Sequence, residues 1–384
     1  MIENENIPIP VEYQDICPIP DKDFQTAMTI LVQEPGFQKI VAMALPNYKY
    51  SEFKHVLLSI NSKHEFQVKV MKPFIEGLMA KTATTLTTSG TENLDKEVPY
   101  TFVTNHRDIV LDSAFLDVLL INAGYQTTVE IGIGDNLLIY PWIKRLVRMN
   151  KAFTVRRGLT AHEMLRSSLL MSSYIHYAVT QKRENIWIAQ REGRAKDSDD
   201  RTQESVLKML AMGGELRELN IVPLTISYEY DPCDYLKAQE FQQKRDDPSF
   251  KKSRQDDLDN MRIGIFGYKG RVNYHCGKPV NNWVLELDNS LSKNEYFQEL
   301  AQRIDREIHR GYKLFPCNYI AADLLEGKKE RTSHYTPADV ERFEKYVDGQ
   351  IAKITIPGKD VPFLRERILT MYANPMYNHI AAMK

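Results

Sequence analysis

The chain has 384 residues and a formal net charge of −1, with 43% apolar and 26% charged residues. That length allows a sizeable core and two or three domains, and the near-neutral balance excludes the global basic bias that nucleic-acid binding demands. Four widely spaced cysteines, Cys17, Cys233, Cys276 and Cys317, form no CxxC pair, which argues against a disulfide scaffold or a zinc site and fits free thiols in a reducing cytosol.

The opening MIENENIPIPVEYQD lacks the basic start and apolar core of a signal peptide. No apolar run approaches the roughly 18–20 residues of a bilayer span, so membrane contact is expected to be peripheral. Residues 1–20 read as an irregular lead. From Asp21 to about Thr84 apolar residues recur at helical offsets: Phe37, Ile40, Val41 and Met43, then Phe53, Val56, Leu57 and Leu58, then Val68 to Leu78. Pro46 and Pro73 limit the continuity of these helices. The Thr-rich TATTLTTSGTEN at 82–93 reads as a linker that closes this region.

From Val98 the pattern alternates. Candidate strands lie at 99–104, 127–133, 152–156, 185–190, 221–228 and 271–276, with helices at about 112–123, 137–148, 160–181 and 203–213. Such alternation predicts βαβ units and an α/β fold with a mostly parallel central sheet flanked by helices. The charged run KRDDPSFKKSRQDDLDN within 231–262 reads as a solvated helix or loop. Residues 293–326 read as a helical tail, and 330–384 as a further appendage containing Pro337, Pro357, Pro362 and Pro375. The expected division is an N-terminal helical region at 1–92, a central domain at 93–290 and a C-terminal helical extension at 291–384.

Functional residues of parallel sheets gather at the carboxyl ends of strands, and three polar clusters fall there. In VPYTFVTNHRDIVLDSAFLD, His106 follows a strand, with Asp108 and Asp112 close behind. A carboxylate that accepts from one imidazole nitrogen makes the other a better proton acceptor. The competing reading is a surface helix start where both aspartates complement the dipole. In AFTVRRG, Arg156 and Arg157 precede Gly158 and a helix, a plausible anion site if not simply surface arginines. In IWIAQREGRAK, Arg191, Arg194 and Lys196 surround Glu192, and Gly193 permits a sharp turn, although an exposed ion-paired turn accounts for the same residues. Packing is the leading reading of Tyr228 in the strand IVPLTISYE. The segment NLLIYPWIKRLVRM suits either an anionic membrane surface and acyl channel or ordinary packing on the sheet. HRDIVLDS mimics a kinase catalytic loop but has Ser113 where that loop needs Asn, and Gly132-Ile133-Gly134 is half a dinucleotide fingerprint.

Taken in order, NHRDIVLD, AFTVRRG, AQREGR and IVPLTISYE resemble the four blocks of the glycerol-phosphate acyltransferase family, and KGRVNYHCGKPV is similar to its closing strand. The paired arginines and the insert after Tyr228 resemble the branch that acts on glycerol-3-phosphate more than the one that acts on its monoacyl product. The resemblance implies an O-acyltransferase with His106 as general base, supported by Asp112 with Asp108 as rival. It implies Arg156 and Arg194 on the substrate phosphate, with Glu192 and Gly193 shaping the glycerol pocket and Arg157, Arg191 and Lys196 beside them. Five residues separate His106 from Asp112 where the family has four. Neither aspartate faces His106 on a regular helix, so the histidine must sit on an irregular turn. The implied partners are a glycerol-phosphate acceptor, an acyl thioester of coenzyme A or acyl carrier protein, and the inner face of the cytoplasmic membrane, with no metal or other cofactor and no nucleic acid. Acylation of lysophosphatidate or an amino-lipid, or lipid binding without turnover, are the alternatives.

Overall fold

Seven strands form one sheet in the order β1-β7-β6-β2-β5-β3-β4 in the computed structural model, which describes residues 8–45, 49–287 and 290–384. The strands are β1 (Ala83–Ser89), β2 (Thr101–Thr104), β3 (Val129–Gly134), β4 (Ala152–Val155), β5 (Asn185–Ala189), β6 (Ile221–Tyr228) and β7 (Gly270–Cys276). All neighbours run parallel except β6 and β7. The α/β architecture with a mostly parallel sheet is therefore what the alternation predicted. The central strands are buried on both faces, as continuous apolar runs require. Phe102 of β2, for instance, registers with Trp187 on one side and Val222 on the other.

The Thr-rich stretch is not a linker. Residues 83–89 are edge strand β1, parallel to β7, with Leu86 opposite Val272 and Thr87 opposite Asn273. Threonine is β-branched and suits a half-solvated strand, but its polarity hides the strand in a hydrophobicity pattern.

Ahead of the sheet come α1 (Asp21–Leu31), α2 (Pro35–Ala44), α3 (Tyr50–Leu58), α4 (Lys63–Phe66) and α5 (Lys72–Thr82). Phe24, Met28, Leu31, Phe37, Val41, Leu57 and Phe66 form their shared core, whereas Ile40, Met43 and Val56 face outward. Pro46 lies outside the described residues. Pro73 does not break its helix: Gln67–Met71 form a π-helical segment joining α4 to α5, and this wider turn absorbs proline's missing N–H.

Helices α6 (Leu111–Asn122), α7 (Pro141–Met149), α8 (Ala161–Thr180) and α9 (Glu204–Leu210) link the strands. Helix α7 is not a free amphipathic face. Its Trp142 and Leu146 pack on the N-terminal core, Arg148 donates to the carbonyls of Cys17 and Gln14, and Arg145 pairs with Glu34. Among the described residues no helix is long and apolar enough to cross a membrane.

Between β6 and β7 lie α10 (Asp234–Asp246) and α11 (Arg254–Phe266). The solvated reading holds at residues 244–249, which are exposed, but not ahead of them. Asp234, Lys237, Glu240 and Gln242 are buried, because α10 packs against the C-terminal helices. After β7, α12 (Asn281–Glu286) leads to α13 (Lys293–Arg310), whose Leu300, Ile304 and Ile308 join Phe153, Ile186 and Ile221 in one core. Helices α14 (Pro316–Glu326), α15 (Pro337–Ala352) and α16 (Val361–Met383) bury Ala321, Phe343, Val347, Leu364 and Ile368 among themselves. Pro337 and Pro362 stand in first turns, where a missing N–H costs nothing.

Candidate active site

Strands β2, β5, β3 and β4 are parallel neighbours, so their carboxyl ends share one edge of the sheet. His106 follows β2, Arg191-Glu192 follow β5, and Arg156-Arg157 follow β4. These segments converge on one cleft of about 1400 Å³, lined by His106, Arg156, Arg157, Arg191, Glu192, Gly193, Arg194 and Lys196.

Residues 105–110 form an irregular turn before α6 begins at Leu111. The turn is fixed at its start by Asn105, whose amide donates to Ile226 O at 2.9 Å and accepts from Ile226 N at 2.7 Å. It bends His106 back over the first turn of α6, where Nδ1 meets Asp112 Oδ2 at 2.8 Å. Asp112 is completely buried, and the N–H of Arg107 donates to the same oxygen at 2.6 Å. Tyr228 donates its hydroxyl to Asp112 Oδ1 at 3.2 Å, and Tyr274 donates to the Asp112 carbonyl at 2.8 Å. A carboxylate against Nδ1 keeps the proton there and leaves Nε2 as the basic nitrogen, on a ring that lines the cleft. The imidazole is 12% exposed and stands edge-on to Trp187, with centroids 5.4 Å apart.

Asp108 plays a different part. Its Oδ1 accepts from the N–H groups of Val110 (2.9 Å) and Leu111 (2.7 Å), closing the turn into the helix. Gly264 of α11 lies over it so closely that no Cβ would fit. Burial, reinforced by the nearby Asp112, raises the Asp108 pKa above the usual carboxylate range, against the pull of those N–H donors and Arg194.

The cationic end of the cleft has two layers. At the rim, Arg156 is exposed, and Arg157 Nη1 meets Glu192 Oε1 at 2.6 Å, so the second and third sequence clusters join through one ion pair. Gly158 and Gly193, with φ of +68° and +69°, make the turns behind them, a region glycine enters without strain. Deeper, Arg194 is held by Asn260 of α11 at 3.0 Å, while its Nη1 and the Nε of Arg191 have no hydrogen-bond partner among the described residues. Burial opposes the Arg194 charge, but Cys233, Asp231 and Asp108 outweigh it and raise its pKa. Lys196, Lys244 (2.9 Å) and Lys252 (2.8 Å) converge on Glu240. Burial alone would raise the Glu240 pKa; the three ammonium groups outweigh it and hold it at about 2. One carboxylate among three lysines leaves this end of the cleft positive.

The same cleft also has an apolar lining: Phe74 and Leu78 of α5, Ile131 and Ile133 of β3, Leu146 and Val147 of α7, Val155 and Met171. Among the described residues no group of three or more His, Cys, Asp or Glu side chains is arranged to hold a metal ion.

Sequence reasoning missed the supports. Tyr228 is core packing and also the second partner of Asp112, which a strand pattern cannot signal. Asn260 and Lys252 come from the charged run, and Arg107 is buried although it is one residue from the histidine. Residues 85–227 match the family model described as Acyltransferase. No curated protein matches the chain.

Proposed function

We propose, from the match of residues 85–227 to the Acyltransferase family model, that the protein belongs with the phospholipid/glycerol acyltransferases and moves a fatty acyl group from a thioester of coenzyme A or acyl carrier protein to a hydroxyl of glycerol-3-phosphate. The observation that carries this reading is the His106–Asp112 pair in a cleft lined by both cationic and apolar side chains. The phosphate docks among Arg156, Arg191, Arg194 and Lys196, and the acyl chain lies along Phe74, Leu78, Ile133 and Val155. Nε2 of His106 removes the hydroxyl proton as that oxygen attacks the thioester carbonyl. The C–O bond forms, the C–S bond breaks, and the departing thiolate takes the proton from the imidazolium that Asp112 steadies. Acid–base assistance of this kind contributes ~10²–10⁴-fold, and fixing the phosphate supplies the positional advantage.

A second acceptor, the monoacyl glycerol phosphate, is favoured by the size of the cleft. About 1400 Å³ exceeds the ~300–1,000 Å³ of ordinary small-molecule sites and leaves room beside one acyl chain for another. We further propose that the enzyme docks peripherally on anionic membrane through the first half of α8. Residues 161–166 are all exposed there, Met164, Leu165 and Leu169 present apolar surface, and Arg156 and Arg166 stand nearby.

The test is transfer of radiolabelled acyl groups from both thioesters to a panel of acceptors. His106→Ala abolishes transfer with the fold intact, and Arg156→Ala raises the KM for phosphate-bearing acceptors. Unchanged turnover in His106→Ala ends the reading; activity confined to lysophosphatidate selects the second acceptor. Leu165→Asp with Leu169→Asp abolishes co-sedimentation with anionic vesicles; retained co-sedimentation removes α8 from that role.

A further inference from the structure

Both neighbours of His106 are locked into a buried polar network that reaches the C-terminal part of the chain. Arg107 is 6% exposed, and its Nη2 donates to Asp200 Oδ2 at 2.6 Å and to the Tyr312 hydroxyl at 3.2 Å. Tyr312 donates in turn to the same Asp200 oxygen at 2.5 Å, and its ring lies under the Arg107 guanidinium, 5.8 Å from the centroid. Asn105 reaches that oxygen as well, at 3.4 Å. Asp200 is fully buried, and its carbonyl meets His309 Nε2 at 2.7 Å, with the His309 ring stacked on Tyr312. Arg107 Nη1 and Asp200 Oδ1 have no hydrogen-bond partner among the described residues.

None of these groups touches the cleft, and Tyr312 lies beyond the segment that matches the acyltransferase family. Yet the N–H of Arg107 is one of the donors that orient Asp112. The guanidinium and that N–H belong to one residue, so moving the side chain moves the peptide that follows His106. We infer that Asp200 and Tyr312 are positioning residues for His106, acting through Arg107. They clamp the turn so that the imidazole and Asp112 keep hydrogen-bond geometry while acyl transfer proceeds. The inference rests on the reading of His106 as general base.

The clamp has an electrostatic side. With Asp200 neutralised, the buried Arg107 charge is left to act on Asp112 and competes with the imidazolium for it. Asp200→Asn therefore lowers kcat.

The test measures kcat, both KM values, the kcat–pH profile and thermal melting for Tyr312→Phe, which keeps the ring and loses only the hydroxyl. Arg107→Lys and the double variant are measured alongside it. The expected result is a roughly tenfold fall in kcat for Tyr312→Phe, with KM within twofold of the parent and a Tm shift of a few degrees. The effects of Tyr312→Phe and Arg107→Lys are non-additive, because both act along one route. Asp200→Asn is informative when it folds, and Tyr312→Phe carries the test when it does not. Tyr312→Phe with kcat within twofold of the parent, or additive effects in the double variant, overturns the inference. His106→Ala in the same series separates the two claims: an active His106→Ala defeats the catalytic reading, while an inactive one beside a fully active Tyr312→Phe defeats the clamp alone.

Discussion

The segments before and after the sheet serve the same site by opposite means. The N-terminal helices give the cleft an apolar wall, Phe74, Ile75 and Leu78, whose contribution depends on volume and shape. The C-terminal part gives it no apolar wall. It reaches the turn that carries His106 through Tyr312, in a buried polar network with Asp200 and Arg107. Apolar packing degrades gradually when a side chain changes, because neighbours relax into the space. A buried polar network does not, since each broken bond leaves a desolvated group behind.

The largest expected effect comes from Arg107→Ala, which leaves Asp200 buried without its countercharge. Breaking a buried pair by removing one partner costs about 3–5 kcal/mol, to be read as a lower urea midpoint at unchanged slope. A loss below about 1 kcal/mol would erase the asymmetry between the two flanks.

Next is a pH effect in the C-terminal core. Asp234 accepts from Tyr346 at 2.7 Å and Tyr372 at 2.8 Å, and burial, aided by Asp231, pushes its pKa up to about 7. A carboxyl whose pKa is raised on folding stabilises the fold fully below its unfolded value near 4. That contribution is lost as pH rises through about 7. At about 1.4 kcal/mol per unit, the decline from this group is on the order of 4 kcal/mol. Asp234→Asn should flatten the stability curve between pH 4 and 8, measured by denaturant titration at each pH. An unchanged slope would show that the residue does not bind its proton more tightly in the folded state.

The smallest effect belongs to the apolar wall. Met71, at the end of the π-helical segment, lines the cleft. Met71→Leu conserves volume and should cost less than about 1.5 kcal/mol, with acyl-chain preference altered before stability. Unfolding by more than that would mean this flank is as unforgiving as the other.

How much of this is written locally in the chain differs by element. Strands β2 to β7 announce themselves through β-branched and aromatic runs, and each lies within about two residues of its predicted bounds. Strand β1 does not, because only Leu86 of its seven residues is strongly apolar and its partner β7 is remote in sequence. The cleft residues His106, Arg156, Glu192 and Arg194 were readable as polar residues directly after strands. The choice between Asp108 and Asp112 was not, since neither offset faces His106 on a regular helix and only the shape of the turn decides which one reaches it. Tyr312, Asp200 and Asn260 were invisible for a plainer reason: nothing in their own neighbourhoods says where the fold carries them.

One feature of the sheet constrains how the enzyme can vary. Strand β7 runs against β6, so the chain leaves the sheet and re-enters it at the edge that carries the histidine. Residues 229–269 are tethered at both ends on that side: α10 packs on the C-terminal helices, while Lys237, Phe241, Lys252, Leu258 and Met261 line the cleft. Lengthening such a tethered loop costs little, about 0.6 kcal/mol per doubling, and leaves the strands alone. The lining that this segment gives the cleft can thus be rewritten while His106, Asp112 and the turn that holds them stay as they are.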